Sequence, residues 1–340
     1  MSRTFAGYPM LLIATLIPLA AGCGRSDQPK TTSAGSTPTV SAASAVPDAE
    51  TAGAVTTASY ESAESAFSAG RYPEATQLFS GYTATHPENP WGYYMLGMSS
   101  WRSGEEEKAL SAFDQALQLD PDHRKSLFNS SRVLLESGRP KEALERIEKA
   151  LGKEPMLNEG LRLLGRARYE IGDIEGAILA YHKALSIDER DVWSMNNLGL
   201  IYIQQDRSSE ALPPLARAVE LRGNAPVFQN NLGTALERAG YPTAAAQAYE
   251  AAIAGDSTYQ KASVGLARVT AEQKPETTPV DLATLSSQFQ ASIETWRGVP
   301  VAEVEDSITV SVNTVSDSVL VSGRIVRDSL EECESEEDHQ

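Results

Sequence analysis

Only two cysteines and four histidines occur among 340 residues. Cys23 and Cys333 cannot build a disulfide framework, and no Cys/His cluster has the spacing of a metal site. His86 and His123 fall in turns, His182 on an outward helix face and His339 near the C-terminus, each without a second ligand. Lysine and arginine number 29 against 46 aspartates and glutamates, a formal charge of −17, so no basic stripe is available to attract nucleic acid. The excess acid lies late in the chain: residues 275–340 carry 3 basic and 14 acidic side chains. Aromatics make up 7% against 41% hydrophobic residues overall, a balance that suits close helix packing around alanine rather than one large aromatic core. No glycine-rich phosphate loop, nucleophile elbow or spaced carboxylate pair is found, and runs such as Glu105-Glu106-Glu107 read as a solvated helix face. The chain is therefore not expected to be an enzyme, and no catalytic residue, metal or cofactor is assigned.

Long apolar runs are also lacking. Met10 to Ala21 is too short to cross a bilayer as a helix, and Pro18 interrupts it. Arg3, that apolar stretch and Leu19-Ala20-Ala21-Gly22-Cys23 read as an export signal over residues 1–22. The small residues ahead of Cys23 resemble the bacterial lipoprotein processing site, with Ala20 where that family usually has leucine. The resemblance implies lipidation at Cys23, attachment to a bacterial membrane and exposure to the periplasm; an ordinary secretory signal is the alternative. Residues 23–58 are Ser, Thr, Ala, Gly and Pro with little to bury, a composition that predicts a disordered linker of roughly 30–35 Å root-mean-square span.

What is abundant is a repeat. Gly70, Gly104, Gly138, Gly172, Asp206 and Gly240 stand 34 residues apart, and so do Ala75, Ala109, Ala143, Ala177, Ala211 and Ala245. Ala116, Ala150, Ala184, Ala218 and Ala252 keep the same step. A period of 34 indicates a helix-turn-helix solenoid. Trp91, Leu96, Gly97, Gly104, Ala109, Phe113, Ala116 and Pro121 in one copy, and Leu198, Gly199, Tyr202, Ala211, Leu215 and Ala218 in another, resemble the tetratricopeptide repeat. The expected fold is all-α, a solenoid of about six helix pairs with a capping helix over residues 59–272. Gly97, Gly165, Gly199 and Gly233 are expected to admit the second helix of each pair closely, with Phe113, Tyr181, Leu215 and Tyr249 filling the layer between. Three departures are noted: Tyr82 replaces the packing alanine in the first repeat, Asp206 replaces a turn glycine, and Pro213-Pro214 predicts a delayed or kinked helix.

Beyond the repeats, Gln260 to Glu272 reads as the cap, and Leu282, Leu285, Phe289, Ile293 and Trp296 form an apolar stripe at helical spacing. Alternation at Ile308, Val310, Val312 and at Val319, Val321, Ile325 predicts a β-hairpin across Asn313 to Ser318. A helix plus hairpin over residues 280–330 is too small to stand alone, so it is expected to pack on the solenoid or to form a homo-oligomer through its strand edges. Residues 331–340 form an acidic tail, expected to be disordered.

In this repeat family the first helix of each pair lines a concave groove that takes protein or peptide partners. The positions beside its packing residues are Trp91, Tyr94 and Met98; then Lys125, Phe128, Asn129 and Arg132; then Arg162 and Arg166; then Trp193, Asn196 and Asn197; and finally Asn230 and Asn231. They form aromatic, basic and amide zones. Asn129, Asn197 and Asn231 share one repeat position, and their amides either read an extended peptide or bond a neighbouring helix to fix repeat geometry. The cations suggest an acidic ligand, including the chain's own tail; Lys125, Asn129 and Arg132 partly resemble the family's clamp for heat-shock-protein tails. The whole resembles six-repeat lipoproteins that assist assembly of outer-membrane complexes, pilotins among them. The expected function is a lipid-anchored scaffold supporting assembly of a cell-envelope complex, or alternatively an adaptor recruiting an envelope hydrolase or peptidoglycan enzyme.

Overall fold

The computed structural model describes residues 59–272 and 279–297, all within one unit, Val55–Gln340. The export signal, Cys23, the linker, the hairpin and the acidic tail lie outside the described residues. Six helix pairs follow one another: α1 (Tyr60–Ser68) with α2 (Tyr72–Thr85), α3 (Pro90–Arg102) with α4 (Glu106–Leu119), α5 (Arg124–Glu136) with α6 (Pro140–Lys153), α7 (Asn158–Glu170) with α8 (Ile174–Ile187), α9 (Val192–Gln204) with α10 (Ser208–Leu221), and α11 (Pro226–Ala239) with α12 (Pro242–Gly255). Then come α13 (Gln260–Glu272) and α14 (Leu282–Arg297). Among the described residues every element is helical, as the repeat requires.

Odd-numbered helices touch their odd neighbours from one repeat to the next, whereas even-numbered helices pack on their chain neighbours and, for α8 and α10, on α14. A layer whose members stay in contact must be the inner one of a curved stack. The odd helices therefore form the inner wall and the even helices splay outside.

Packing within each pair follows the small residues. A Cβ on Gly97 would come within 2.6 Å of the Phe113 ring, and one on Gly199 within 2.4 Å of Leu215. Ala109, Ala143, Ala177, Ala211 and Ala245 are fully buried on the facing helix. In the first repeat Tyr82 takes the place of an alanine, and Gly92 on the next helix makes room, since a Cβ there would lie 2.9 Å from the Tyr82 ring. Asn89 donates to the Tyr82 hydroxyl at 2.9 Å, so the substitution is accommodated from the neighbouring repeat.

The turn residue inside each pair is left-handed in all six repeats, from φ 58° at Asp206 to 90° at Gly240. Asp206 is the non-glycine residue in that region, and the strain of a Cβ there is not offset by its exposed contact to Arg238 at 3.4 Å. Asp206→Gly is expected to raise stability by about 0.5–1 kcal/mol in urea unfolding, the gain in native conformation slightly outweighing glycine's freer unfolded chain.

The expected irregularity at Pro213-Pro214 is not seen. α10 begins at Ser208 and runs through both prolines to Leu221. The carbonyls deprived of a donor belong to Ser209 and Glu210, in the first turn and on exposed residues, where solvent supplies the missing bonds.

α13 closes the stack. Its Arg268 bonds both carboxylate oxygens of Glu237 on α11, and the Tyr249 hydroxyl donates to Glu237 at 2.7 Å. α14 turns back along the outside and lies on α8 and α10. Phe289 and Ile293 are buried there, with Leu282, Leu285 and Trp296 partly buried beside them, so the sequence stripe is the docking face. His182 lies on the outward face of α8, where Trp296 covers it, ring centroids 3.8 Å apart.

Candidate functional site

The inner wall starts from helix caps. Asn89 accepts from the backbone amides of Trp91 and Gly92, His123 Nδ1 from that of Ser126, and Asp191 Oδ1 from those of Trp193 and Ser194. These three residues occupy one repeat position, so each fixes the first turn of a wall helix where Trp91, Lys125 and Trp193 project. No side-chain cap forms at the equivalent Leu157 and Ala225.

The aromatic zone is assembled around His123. The Trp91 ring meets it edge-on at 4.6 Å, Tyr94 lies 5.5 Å away, and Trp91 and Tyr94 are 5.6 Å apart. Lys125 Nζ sits 5.6 Å from the Trp91 ring centroid. Burial pushes the His123 pKa down, Asp120 opposes this and Lys125 reinforces it. A neutral imidazole suits its role as hydrogen-bond acceptor at the cap. Trp91 is 46% exposed, while Tyr94 and Met98 are buried.

The basic zone is neutralised from within. Arg132 donates to Asn129 Oδ1 at 2.8 Å and to Glu159 at 2.6 Å. Arg162 meets Asp191 at 3.4 Å, and Arg166 meets Glu170 at 3.0 Å. The amide zone is likewise turned on itself. Asn230 donates to Asn231 at 3.2 Å, Asn231 to Asn196 at 2.8 Å, and Asn196 to Asn197 at 3.5 Å. Asn129 donates to the Tyr94 hydroxyl at 3.2 Å. Trp193 packs edge-on against Phe228 at 5.0 Å.

The structure thus separates the fourteen wall positions into two groups. Tyr94, Met98, Phe128, Asn129, Arg132, Arg166, Trp193, Asn196, Asn197, Asn230 and Asn231 are buried, and Trp91, Lys125 and Arg162 are not. Of the two roles open to the asparagines, the structure displays the geometric one: their amides join neighbouring wall helices. Nor do the arginines form an open basic patch, because Glu159, Asp191 and Glu170 already balance them. The acidic tail lies outside the described residues.

These acidic partners were missed by reading only cations and amides along the wall. The 34-residue step places Glu159 between Lys125 and Trp193, so its presence was legible. A second rule emerges from the geometry: residues 35 apart meet across the wall. Tyr94 and Asn129, Asn196 and Asn231, Trp101 and Glu136, and Ile203 and Arg238 all hydrogen-bond at this offset.

Family models for the tetratricopeptide repeat match residues 60–124 and 195–270, residues 100–167 and, as TPR repeat, residues 165–206, a continuous cover of more than half the chain. The chain belongs to the tetratricopeptide-repeat family. A solved tetratricopeptide repeat protein from Parabacteroides merdae shares the fold, with a TM-score of 0.54 and 16% identity over 74% of this chain and 97% of that one. A TPR repeat-containing protein of Methanocaldococcus jannaschii is 26% identical over 199 residues, 58% of this chain and 32% of the relative. The protein O-mannosyl-transferase Tmtc3 of Drosophila melanogaster is 27% identical over 135 residues, 39% of this chain and 15% of the relative. The chain spans less than a fifth of the length of the first curated relatives it matches, 15%, 19% and 18%. What is shared is the repeat, a scaffold for protein–protein interaction.

Proposed function

We propose that this tetratricopeptide protein is an exported, lipid-anchored scaffold that holds a segment of another protein on its inner wall, in support of assembling a cell-envelope complex. One observation carries the reading: Trp91 is the largest exposed apolar side chain on the inner wall, and Lys125 stands over its face. Exposed tryptophan beside a cation is the composition of an interface anchor, since aromatic side chains dominate binding hot spots. The chemistry fits a partner segment that offers an apolar side chain to Trp91 and an acid to Lys125. Beside that point Asn129 bonds Tyr94, and Arg132 bonds Asn129 and Glu159, which ties neighbouring wall helices together. The sequence at Cys23 supports the anchor, and residues 24–58 supply the length for the solenoid to stand away from a membrane.

The test is site-directed photo-crosslinking in intact envelopes. A photoreactive residue at Trp91 is expected to capture one discrete partner, and one at Lys149, exposed on the outer helix α6, is not. Lys125→Glu should reduce capture several-fold, and Trp91→Ala should weaken binding of the captured segment by about 2 kcal/mol, roughly 30-fold. Equal capture from both positions would remove the wall from the account. The identity of the adduct separates an assembly factor from an adaptor for an envelope hydrolase or peptidoglycan enzyme. Cys23→Ser is expected to move the protein from the membrane to the soluble fraction; retention in the membrane would refute lipid anchoring.

A further inference from the structure

Outer helices of this solenoid meet one another sparsely, as in the Arg146–Asp114 ion pair at 2.8 Å between α6 and α4, and α14 bridges two of them. It lies across α8 of repeat four and α10 of repeat five. Ser286 donates to Glu220 at the end of α10, where Arg217 also holds the same carboxylate at 2.8 Å. Phe289 and Ile293 enter the core shared with Tyr181, Leu185 and Ala218. Near the helix end Trp296 stacks on His182 of α8 at an interplanar angle of 12°. Arg297 donates to the Ser186 carbonyl at 3.2 Å and to Glu189 at 2.9 Å. Residues 273–281 link the helix to the cap in sequence, and its other face carries Thr284, Ser287, Gln288 and Glu294. An amphipathic helix on a short connection, seated by one stripe across two outer helices of successive repeats, is a strap.

We infer that α14 is a detachable strap fixing the spacing of repeats four and five from outside, and that the His182–Trp296 stack is its acid-sensitive latch.

Docking covers the imidazole with indole, and burial pulls the His182 pKa down to about 4. The undocked ring would return to an ordinary histidine value. Through this ring the docked state is therefore favoured fully above about pH 6.5 and loses ground as pH falls from there to about 4; below that the loss comes from protonating Glu220, which Ser286 holds. The charges carried by the elements around the ring do not substitute for it: Lys183 and the paired Arg297, Glu294 and Glu189 flank the stack, and Glu220 and Arg217 lie at the other end of the strap. Ser286 and Arg217 hold the Glu220 carboxyl below its usual range, so that anchor stays charged at pH 5. Attraction between an imidazolium and the indole face partly offsets the burial cost, which makes the following figure an upper bound. Between pH 8 and pH 5 the docking constant should fall by up to about 30-fold.

On the opposite side of repeat five lies the wall around Trp193 and Asn196, to which Asn231 of repeat six is bonded. Loosening α8 from α10 should therefore be felt in α9 and α11 and not in α3 or α5.

Hydrogen exchange on the full chain reads both parts, because protection factors report local opening. In the wild type, α14 protection is expected to drop by up to about 30-fold from pH 8 to pH 5. His182→Phe keeps an aromatic surface that cannot charge and should flatten the response; His182→Gln, also neutral, serves if the phenylalanine variant misfolds. Trp296→Ala should free α14 already at pH 8 and lower protection in α9 and α11 while leaving α3 and α5 unchanged. A pH response undiminished in both His182 variants, or none in the wild type, would overturn the latch. Unaltered α9 and α11 protection in Trp296→Ala would overturn the strap.

Discussion

Replacing Asp191 by alanine should destabilise the protein by about 2–4 kcal/mol, a large loss for one small side chain on a repeat protein. The carboxylate is buried at 5% exposure and serves two structural elements at once. Its Oδ1 accepts from the Trp193 and Ser194 amides at 3.1 and 3.2 Å, capping α9, and its Oδ2 accepts from the Ser194 hydroxyl at 2.7 Å. Arg162 reaches it from α7 at 3.4 Å. Loss of an N-cap alone costs about 1 kcal/mol. The remainder comes from removing the buried carboxylate that Arg162 reaches from α7 and the Ser194 hydroxyl bond, a penalty larger than the pair's own net worth. Asp191→Asn separates the two, because it keeps the capping oxygen and discards the charge. It should show about half the loss, and Arg162→Met in the Asp191→Asn background should restore part of it. Urea unfolding measures the totals; hydrogen exchange should place the damage in α7 and α9, since each repeat contacts only its neighbours. A loss below about 1 kcal/mol for Asp191→Ala would mean that the wall is held by apolar packing alone.

Asp191 also marks where the sequence was legible and where it was not. A step of 34 residues identifies positions that share an environment, and the environment of glycine and alanine is packing. Gly97, Gly199 and the alanines facing them are read correctly because steric fit depends on residue size and repeat position alone. Asp206 in a left-handed turn is read for the same reason. The wall is different. Repeat position says that Asn196 and Arg132 face inward, but whether an inward side chain is open depends on what reaches over it from the next repeat. That partner lies 27 to 35 residues away, as with Arg132 and Glu159 or Asn196 and Asn231, and no single-position reading pairs them. Trp91 and Lys125 remain partly open, whereas Trp193 at the same repeat position is covered by Phe228 of the next repeat. α14 shows the converse: its stripe was plain in the sequence, yet its target on α8 and α10, and so the covering of His182, follows only from the path of the chain.

The largest single loss should come from Phe113→Ala, about 3–5 kcal/mol, because the ring is fully buried and the glycine opposite it has no side chain with which to refill the space. The Phe113 ring occupies the volume where a Cβ on Gly97 would stand, 2.6 Å from its Cε1. The two residues are therefore one packing unit, and the protein contains its own alternative solution. In the following repeat the same positions hold Ser131 and Ile147, with Ile147 fully buried and the Ser131 hydroxyl donating to the Leu127 carbonyl at 2.7 Å. Transplanting that pair tests the interdependence. Gly97→Ser alone overfills the layer and should cost about 1–3 kcal/mol. Phe113→Ile alone underfills it and should cost about 1–2 kcal/mol. Together they recreate the neighbouring repeat's fit, so the double variant should be more stable than the two losses predict by about 1 kcal/mol or more. Urea midpoints for the four proteins give the coupling, and hydrogen exchange in α3 and α4 locates it. Strict additivity would show that the helices shift to absorb each change independently, and that glycine at this position is not there to receive the ring.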